Sequence, residues 1–94
     1  MAHHPTVDVT GVEVLGGHRV RVTFDDGAVT TRDLSLLLWG PVFDTIRTDP
    51  TEFGAVTIDR ELGVLGWPNG ADLDSEMLRY DDLWEETIAL ARTA

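Results

Sequence analysis

Hydrophobic positions alternate along the first third of the chain and then change period. Val7 and Val9 are followed by Val12 and Val14, a two-residue period whose parity switches across Thr10-Gly11. An extra residue there, a β-bulge, would keep both valine pairs on the core face. Val20, Val22 and Phe24 then alternate with Arg19, Arg21 and Thr23 ahead of Asp26-Gly27, a pair suited to the positive φ angles of a two-residue type I′ turn. That loop predicts Phe24 opposite Val29 and Val22 opposite Thr31 on one face, with Arg21 opposite Arg32 on the other.

From Asp33 the pattern ceases to alternate. Asp33 to Trp39 is too apolar for a solvated loop and too short for a long helix, so a helical turn ending at Gly40-Pro41 is expected. A second short helix should run from Val42 to Arg47. Asp49-Pro50 then reads as a cap followed by proline at the first helical position, with Gly54 ending that turn. Val56 and Ile58 open a strand, Arg60 to Gly63 turn the chain, and Val64 to Trp67 return it. The segment Trp67-Pro68-Asn69-Gly70 forces a turn before the last element, an amphipathic helix over 75–92. At 100° per residue, Leu73, Met77, Tyr80, Leu83, Trp84, Ile88, Leu90 and Ala91 share one broad face of it, and Asp81, Asp82, Glu85 and Glu86 lie largely opposite. Met77, Trp84 and Ile88 should anchor the apolar face on the sheet.

The fold class expected is therefore α+β. One small antiparallel sheet of about four to five strands comes from two hairpins, a short helical crossover joins them, and the C-terminal helix packs on the sheet. Ninety-four residues make a single domain, 1–94.

Charge narrows the functional classes. Seventeen acidic against seven basic residues give a formal net charge of −10, which disfavours nucleic-acid binding by this chain alone. Cysteine is absent, so no disulfide framework, thiolate metal site or thiol nucleophile can form. The longest apolar run, Leu36 to Trp39, is far below a membrane span. Met1 to Pro5 has no charged stretch leading into an apolar run, so a signal peptide is not expected and the cytoplasm is the expected compartment.

An ordered set of short motifs resembles the small bacterial family known as domain-of-unknown-function family 2442. It comprises Arg19 to Gly27, Asp33-Leu34-Ser35, Val42-Phe43, Asp49-Pro50 with Phe53, Val56-Thr57-Ile58-Asp59, and Trp67 to Asp74, and the resemblance covers roughly 9–78. It implies an α+β domain around an antiparallel sheet with no established activity. It also implies pairing with a second small protein in toxin–antitoxin-like gene pairs; some members carry a helix-turn-helix domain after this one. Beyond the resemblance the pattern predicts one helix, and that module is not expected here. Ser75 stands where the family usually has proline.

Candidate chemistry is sparse. Asp72, Asp74 and Glu76 alternate like the start of a calcium loop, but Met77 and Leu83 occupy the glycine and glutamate positions such a loop needs. Helix capping explains the acids better. Among the imidazoles, His3 and His4 lie at the terminus and His18 reads as a turn residue, so a metal site is not expected. Ser35 lacks a histidine or lysine at an informative spacing, and the Gly16-Gly17 pair lacks the rest of a phosphate-binding fingerprint. Asp25-Asp26 belong to a turn. No catalytic or cofactor-binding residue is expected.

Two features remain for interaction. Arg19, Arg21 and Arg32, three of the seven basic residues, are expected to share the outer face of the first hairpin, where like charges need an anion nearby; acids of the C-terminal segment, from this copy or a neighbour, are the favoured source. Trp39 beside Gly40-Pro41 is an aromatic on a turn, whereas Trp67 and Trp84 read as core. We therefore expect a non-enzymatic, acidic protein-interaction module with a protein partner and no cofactor, in the antitoxin-like position of such a pair. Its candidate contacts are Arg19, Arg21, Arg32, Trp39, Asp81, Asp82, Glu85 and Glu86. A domain associated with a transcription regulator, or a small-ligand or structural homo-oligomeric subunit, stays open beside it, as does a homodimer.

Overall fold

A computed structural model describes residues 4–93. The first antiparallel sheet holds β1 (Val9–Gly16), β2 (Arg19–Phe24) and β3 (Val29–Asp33) in that order. The bulge in β1 is present: Val9 lies opposite Phe24 and Gly11 opposite Thr23, leaving Thr10 as the extra residue. Val9 is buried and Val12 packs against the core, but Val14 is 39% exposed near the sheet's end.

The turn between β2 and β3 differs from expectation by one residue. Gly27 N–H donates to the Phe24 carbonyl (3.0 Å) and Phe24 N–H to the Ala28 carbonyl (3.0 Å), closing a three-residue loop. Only Gly27 in that loop has positive φ, at 87°, whereas a type I′ turn needs it at Asp26 as well. The Asp26 carboxylate instead accepts the Ala28 N–H at 3.0 Å. Pairing consequently slips by one, with Thr23 opposite Val29, Val22 opposite Thr30, Arg21 opposite Thr31 and Val20 opposite Arg32. A one-residue slip turns every side chain of β3 over. Val29 is 55% exposed and Arg32 is buried, so neither the Phe24–Val29 pair nor the Arg21–Arg32 pair exists.

The crossover follows the expected chemistry. A 3₁₀ turn at Ser35–Leu37 is flanked by buried Leu34 and Leu38. The next helix, α1 (Asp44–Thr48), starts two residues later than Val42, because Gly40 to Phe43 first form a turn. In α2 (Pro50–Gly54) the Asp49 side chain accepts the Thr51 N–H at 2.9 Å and proline occupies the first turn. Ile46 and Phe53 point from these helices into the core.

The second half makes its own sheet: β4 (Thr57–Asp59), β5 (Val64–Gly66) and β6 (Asp72–Leu73), antiparallel in that order. The expected single sheet is thus two three-stranded sheets, joined where Val9 N–H donates to the Gly63 carbonyl at 2.8 Å. The strand β6 had no sequence pattern of its own, being two residues long. It is created by a turn of the same design as the first. Gly70 N–H donates to the Trp67 carbonyl (3.0 Å), Trp67 N–H to the Ala71 carbonyl (2.9 Å), and the Asn69 side chain accepts the Ala71 N–H (3.0 Å).

The C-terminal segment is two helices, α3 (Ser75–Arg79) and α4 (Asp81–Thr93), separated by Tyr80 in an extended conformation. A continuous helix would offer the Leu78 and Arg79 carbonyls to N–H groups of the next turn. Here Thr30 Oγ1 and Arg32 Nε donate to the Leu78 carbonyl (3.0 and 2.9 Å), and Arg32 Nη2 reaches that of Arg79 (3.4 Å). Tyr80 is held by its hydroxyl, which donates to the Pro5 carbonyl at 2.8 Å, and by its ring, stacked on His4 at 4.1 Å. Leu78 enters the core, while Met77 and Trp84 pack against it only partly buried. No residue of α4 is buried. The helix that was to pack on the sheet leans on α3 and the 3₁₀ turn instead.

Candidate functional site

The register slip redistributes the candidate residues. Arg19 and Arg21 stay exposed on β2, Arg19 opposite Asp33 and Arg21 in an ion pair with Glu13. Arg32 leaves that outer face. It lies on the inner side, 8% exposed, with Nη2 on the Asp81 carboxylate at 3.0 Å and its guanidinium 5.1 Å from the Trp84 ring centre. An acid of the C-terminal segment thus does pair with one of the three arginines, from beneath the sheet. The alternation around Asp26-Gly27 carried the signal for this, but only if the loop is counted as three residues.

The four acids expected to act as one face divide into two kinds. Asp81 and Asp82 occupy the first turn of α4, where the helix dipole favours negative charge. Asp81 is committed to Arg32, and Asp82 binds His4 Nε2 at 2.9 Å; that contact, before all else, holds the Asp82 carboxyl below the usual range. Glu85 and Glu86 are exposed and form no ion pair with the described residues.

Trp39 is 62% exposed. Its ring is covered on one side by the Arg47 guanidinium, 4.1 Å from the centroid, and Arg47 is itself fixed by the Leu38 carbonyl (3.1 Å) and Asp44 (3.4 Å). Such a pair holds an aromatic rigid while leaving the rest of it wet. Leu36 and Val42 on the same short segment are exposed as well. The other tryptophans differ: Trp67 is buried, its indole N–H donating to the Phe53 carbonyl at 3.1 Å, and Trp84 is only partly covered.

The remaining polar candidates have structural partners. His18 bonds the Arg47 carbonyl at 2.8 Å and meets Phe53 edge-on; His3 lies outside the described residues. Ser35 N–H donates to the Asp33 carboxylate (3.0 Å), which lowers the Asp33 pKa, and the Ala28 N–H does the same for Asp26. Asp26 also binds Arg79 at 2.9 Å, a link across the fold with no sequence signal. Asp74 caps α3 by position; desolvation, then the nearby Glu76 carboxylate, push its pKa up. Among the described residues no three His, Asp or Glu side chains converge to hold a metal, and no helix is long and apolar enough to cross a membrane.

No curated protein and no solved structure matches this chain. Residues 9–82 do match a family, from the bulged first strand through both turns to the start of α4. The chain belongs to the family described as protein of unknown function (DUF2442).

Proposed function

We propose that this protein is a non-enzymatic, acidic protein-interaction module that engages a basic protein partner, in the antitoxin-like position of the gene pair its resemblance implies. The observation that carries this reading is α4, a thirteen-residue helix with no buried residue. Dipole and intramolecular pairing account for Asp81 and Asp82, but not for Glu85 and Glu86 one turn further on. Exposed Leu90, at 66%, lies four residues beyond Glu86 and adds an apolar contact beside them. The net charge of −10 would steer a basic partner toward the protein, and the rigid Trp39 would supply a desolvated anchor.

The test reverses Glu85 and Glu86 to lysine together, sparing Asp81 and Asp82, whose loss would disturb Arg32 and His4. Association with the paired gene's product should slow severalfold, with the circular dichroism spectrum unchanged. Trp39→Ala should leave stability alone and speed dissociation about tenfold or more. Unchanged partner binding in both variants, or tight duplex DNA binding by the native protein, would overturn the reading.

A further inference from the structure

The outer strands of the two sheets differ in how well they are closed to further pairing. In the second sheet they are only three and two residues long. In the first, β1 is irregular, with register shifts near both ends and its Val9 N–H already bonded to the Gly63 carbonyl. Short or bulged edges resist another chain. The other outer strand, β3, pairs with β2 over five consecutive residues without a shift, which makes about 17 Å of regular edge. We propose that this edge accepts an extended segment of a basic protein as a fourth, antiparallel strand, seated between β3 and α4. The site goes beyond the reading above and uses neither Glu85, Glu86 nor Trp39, so the variants that test that reading leave this one untouched.

Pairing parity leaves the edge open. Phe24 N–H donates to the Ala28 carbonyl, so the hydrogen-bonded pairs alternate from there and fall at Val22–Thr30 and Val20–Arg32. Val29, Thr31 and Asp33 therefore turn their N–H and C=O groups away from β2. Among the described residues no other backbone group bonds them. The intervening residues fix the strand from beneath, since the Thr30 and Arg32 side chains donate to the Leu78 and Arg79 carbonyls of α3. The edge is thus ordered before anything binds, which lowers the entropic cost of adding a strand.

Beside the edge there is room for a chain. A groove of about 310 Å³ lies between Thr31 and Asp33 of β3 and Trp84, Ile88 and Arg92 of α4. Its exposed lining is mostly polar. A polar groove flanked by free main-chain donors and acceptors suits a ligand held by backbone hydrogen bonds, with side chains as a secondary source of selectivity.

Charge selects the occupant. Residues of an added strand opposite Val29, Thr31 and Asp33 share the outer face of the sheet with them. There Asp33 presents a carboxylate that its bond to Ser35 N–H keeps ionised. A cation opposite Asp33 and β-branched residues elsewhere are the favoured cross-strand partners. A second copy of β3 would instead bring one net charge of −10 against another, so a basic segment is favoured over self-pairing.

The experiment follows the backbone amides of the isotope-labelled full chain by NMR as the capped pentapeptide acetyl-Lys-Val-Thr-Val-Thr-amide is added. In the antiparallel register its lysine lies opposite Asp33, its first threonine opposite Thr31 and its last opposite Val29. Saturable shifts of the Thr31 and Asp33 amides are expected. N-methylation of the first threonine, whose N–H faces β3, should weaken binding about tenfold or more, whereas N-methylation of the first valine, whose N–H faces away, should change it by less than about twofold. Glutamate in place of the lysine should weaken binding about threefold or more. Thr31→Pro removes an N–H on the open side of an edge strand and should abolish binding, while Thr31→Val should keep it; if the proline variant does not fold, the two N-methyl peptides on the native protein decide. No saturable shift up to about 10 mM peptide, or equal weakening by the two N-methyl groups, would overturn the proposal. So would shifts of the same amides with protein concentration alone, because a second copy would then occupy the edge.

Discussion

The two hairpin turns Phe24-Asp25-Asp26-Gly27-Ala28 and Trp67-Pro68-Asn69-Gly70-Ala71 share an aromatic residue, an Asp or Asn that accepts the N–H two residues on, and a glycine at φ 87° or 92°. Valine at either glycine should cost about 2 kcal/mol or more, because a β-branched residue resists that conformation. Alanine at Gly54, which is helical and has open space where a Cβ would sit, should be neutral or slightly stabilising. Chemical denaturation of the three variants checks this, and a Gly27→Val protein of native stability would refute the turn geometry. Carboxylates at the same scale give opposite pH signatures. Asp33 has a depressed pKa, so the stability it contributes is present above the unfolded value of about 3.9 and lost as pH falls through the folded one. Asp74 is raised, so its ionisation opposes folding as pH rises through the folded pKa. Asp74→Asn should therefore raise the melting temperature at pH 7, with the gain disappearing below about pH 3.5; Asp33→Asn should lower it at pH 7. Melting curves across that range test both signs.

At the scale of elements, what was legible depended on local chemistry. The bulge at Thr10, the Asp49-Pro50 cap and the place of the turn at Asp26-Gly27, though not its length, follow from residues adjacent in sequence. The departures at β3 and in the C-terminal segment are linked through residues distant in sequence. A glycine turn of three residues rather than two moved Arg32 inward, and Arg32 in turn takes the carbonyls that a continuous C-terminal helix would need. Helical periodicity across Tyr80 could not reveal a break imposed by a strand 46 residues earlier. Of the candidate residues, Arg19, Trp39, Glu85 and Glu86 are left exposed and without an ion pair among the described residues, with Arg47 over the Trp39 ring. Arg32→Leu should cost about 1–3 kcal/mol, since it removes the buried guanidinium's bonds to the Leu78 and Arg79 carbonyls; Thr30 Oγ1 still holds the first, and the exposed Asp81 carboxylate stays in water. Trp84→Ala should cost only about 1–2 kcal/mol, because the ring is partly covered and α4 is outside the core. Amide exchange should place the damage differently: Arg32→Leu should speed exchange in both α3 and α4, and Trp84→Ala in α4 alone. Equal losses in the two variants would mean that α4 is part of the core.

For the whole molecule, the net charge of −10 is spread over a chain with a radius of gyration of 12.7 Å, comparable to the screening length at low salt. Most of that charge has no internal counter-ion, since the described residues hold five ion pairs, one of them through a histidine. Two consequences of opposite sign follow. Self-repulsion destabilises the free fold, so raising sodium chloride from about 20 to about 300 mM should raise its melting temperature. The same screening removes the steering field toward a basic partner, so the association rate should fall over that range while the dissociation rate, governed by buried contacts such as those of Trp39, changes little. Lysines at positions 85 and 86 would reduce the net charge to −6 and should weaken both salt effects together. Thermal melts and stopped-flow association at matched salt concentrations separate the two contributions. If the melting temperature rises with salt while association is insensitive to it, the acidic surface serves only solubility, and a partner would have to be recognised through the apolar segment around Trp39.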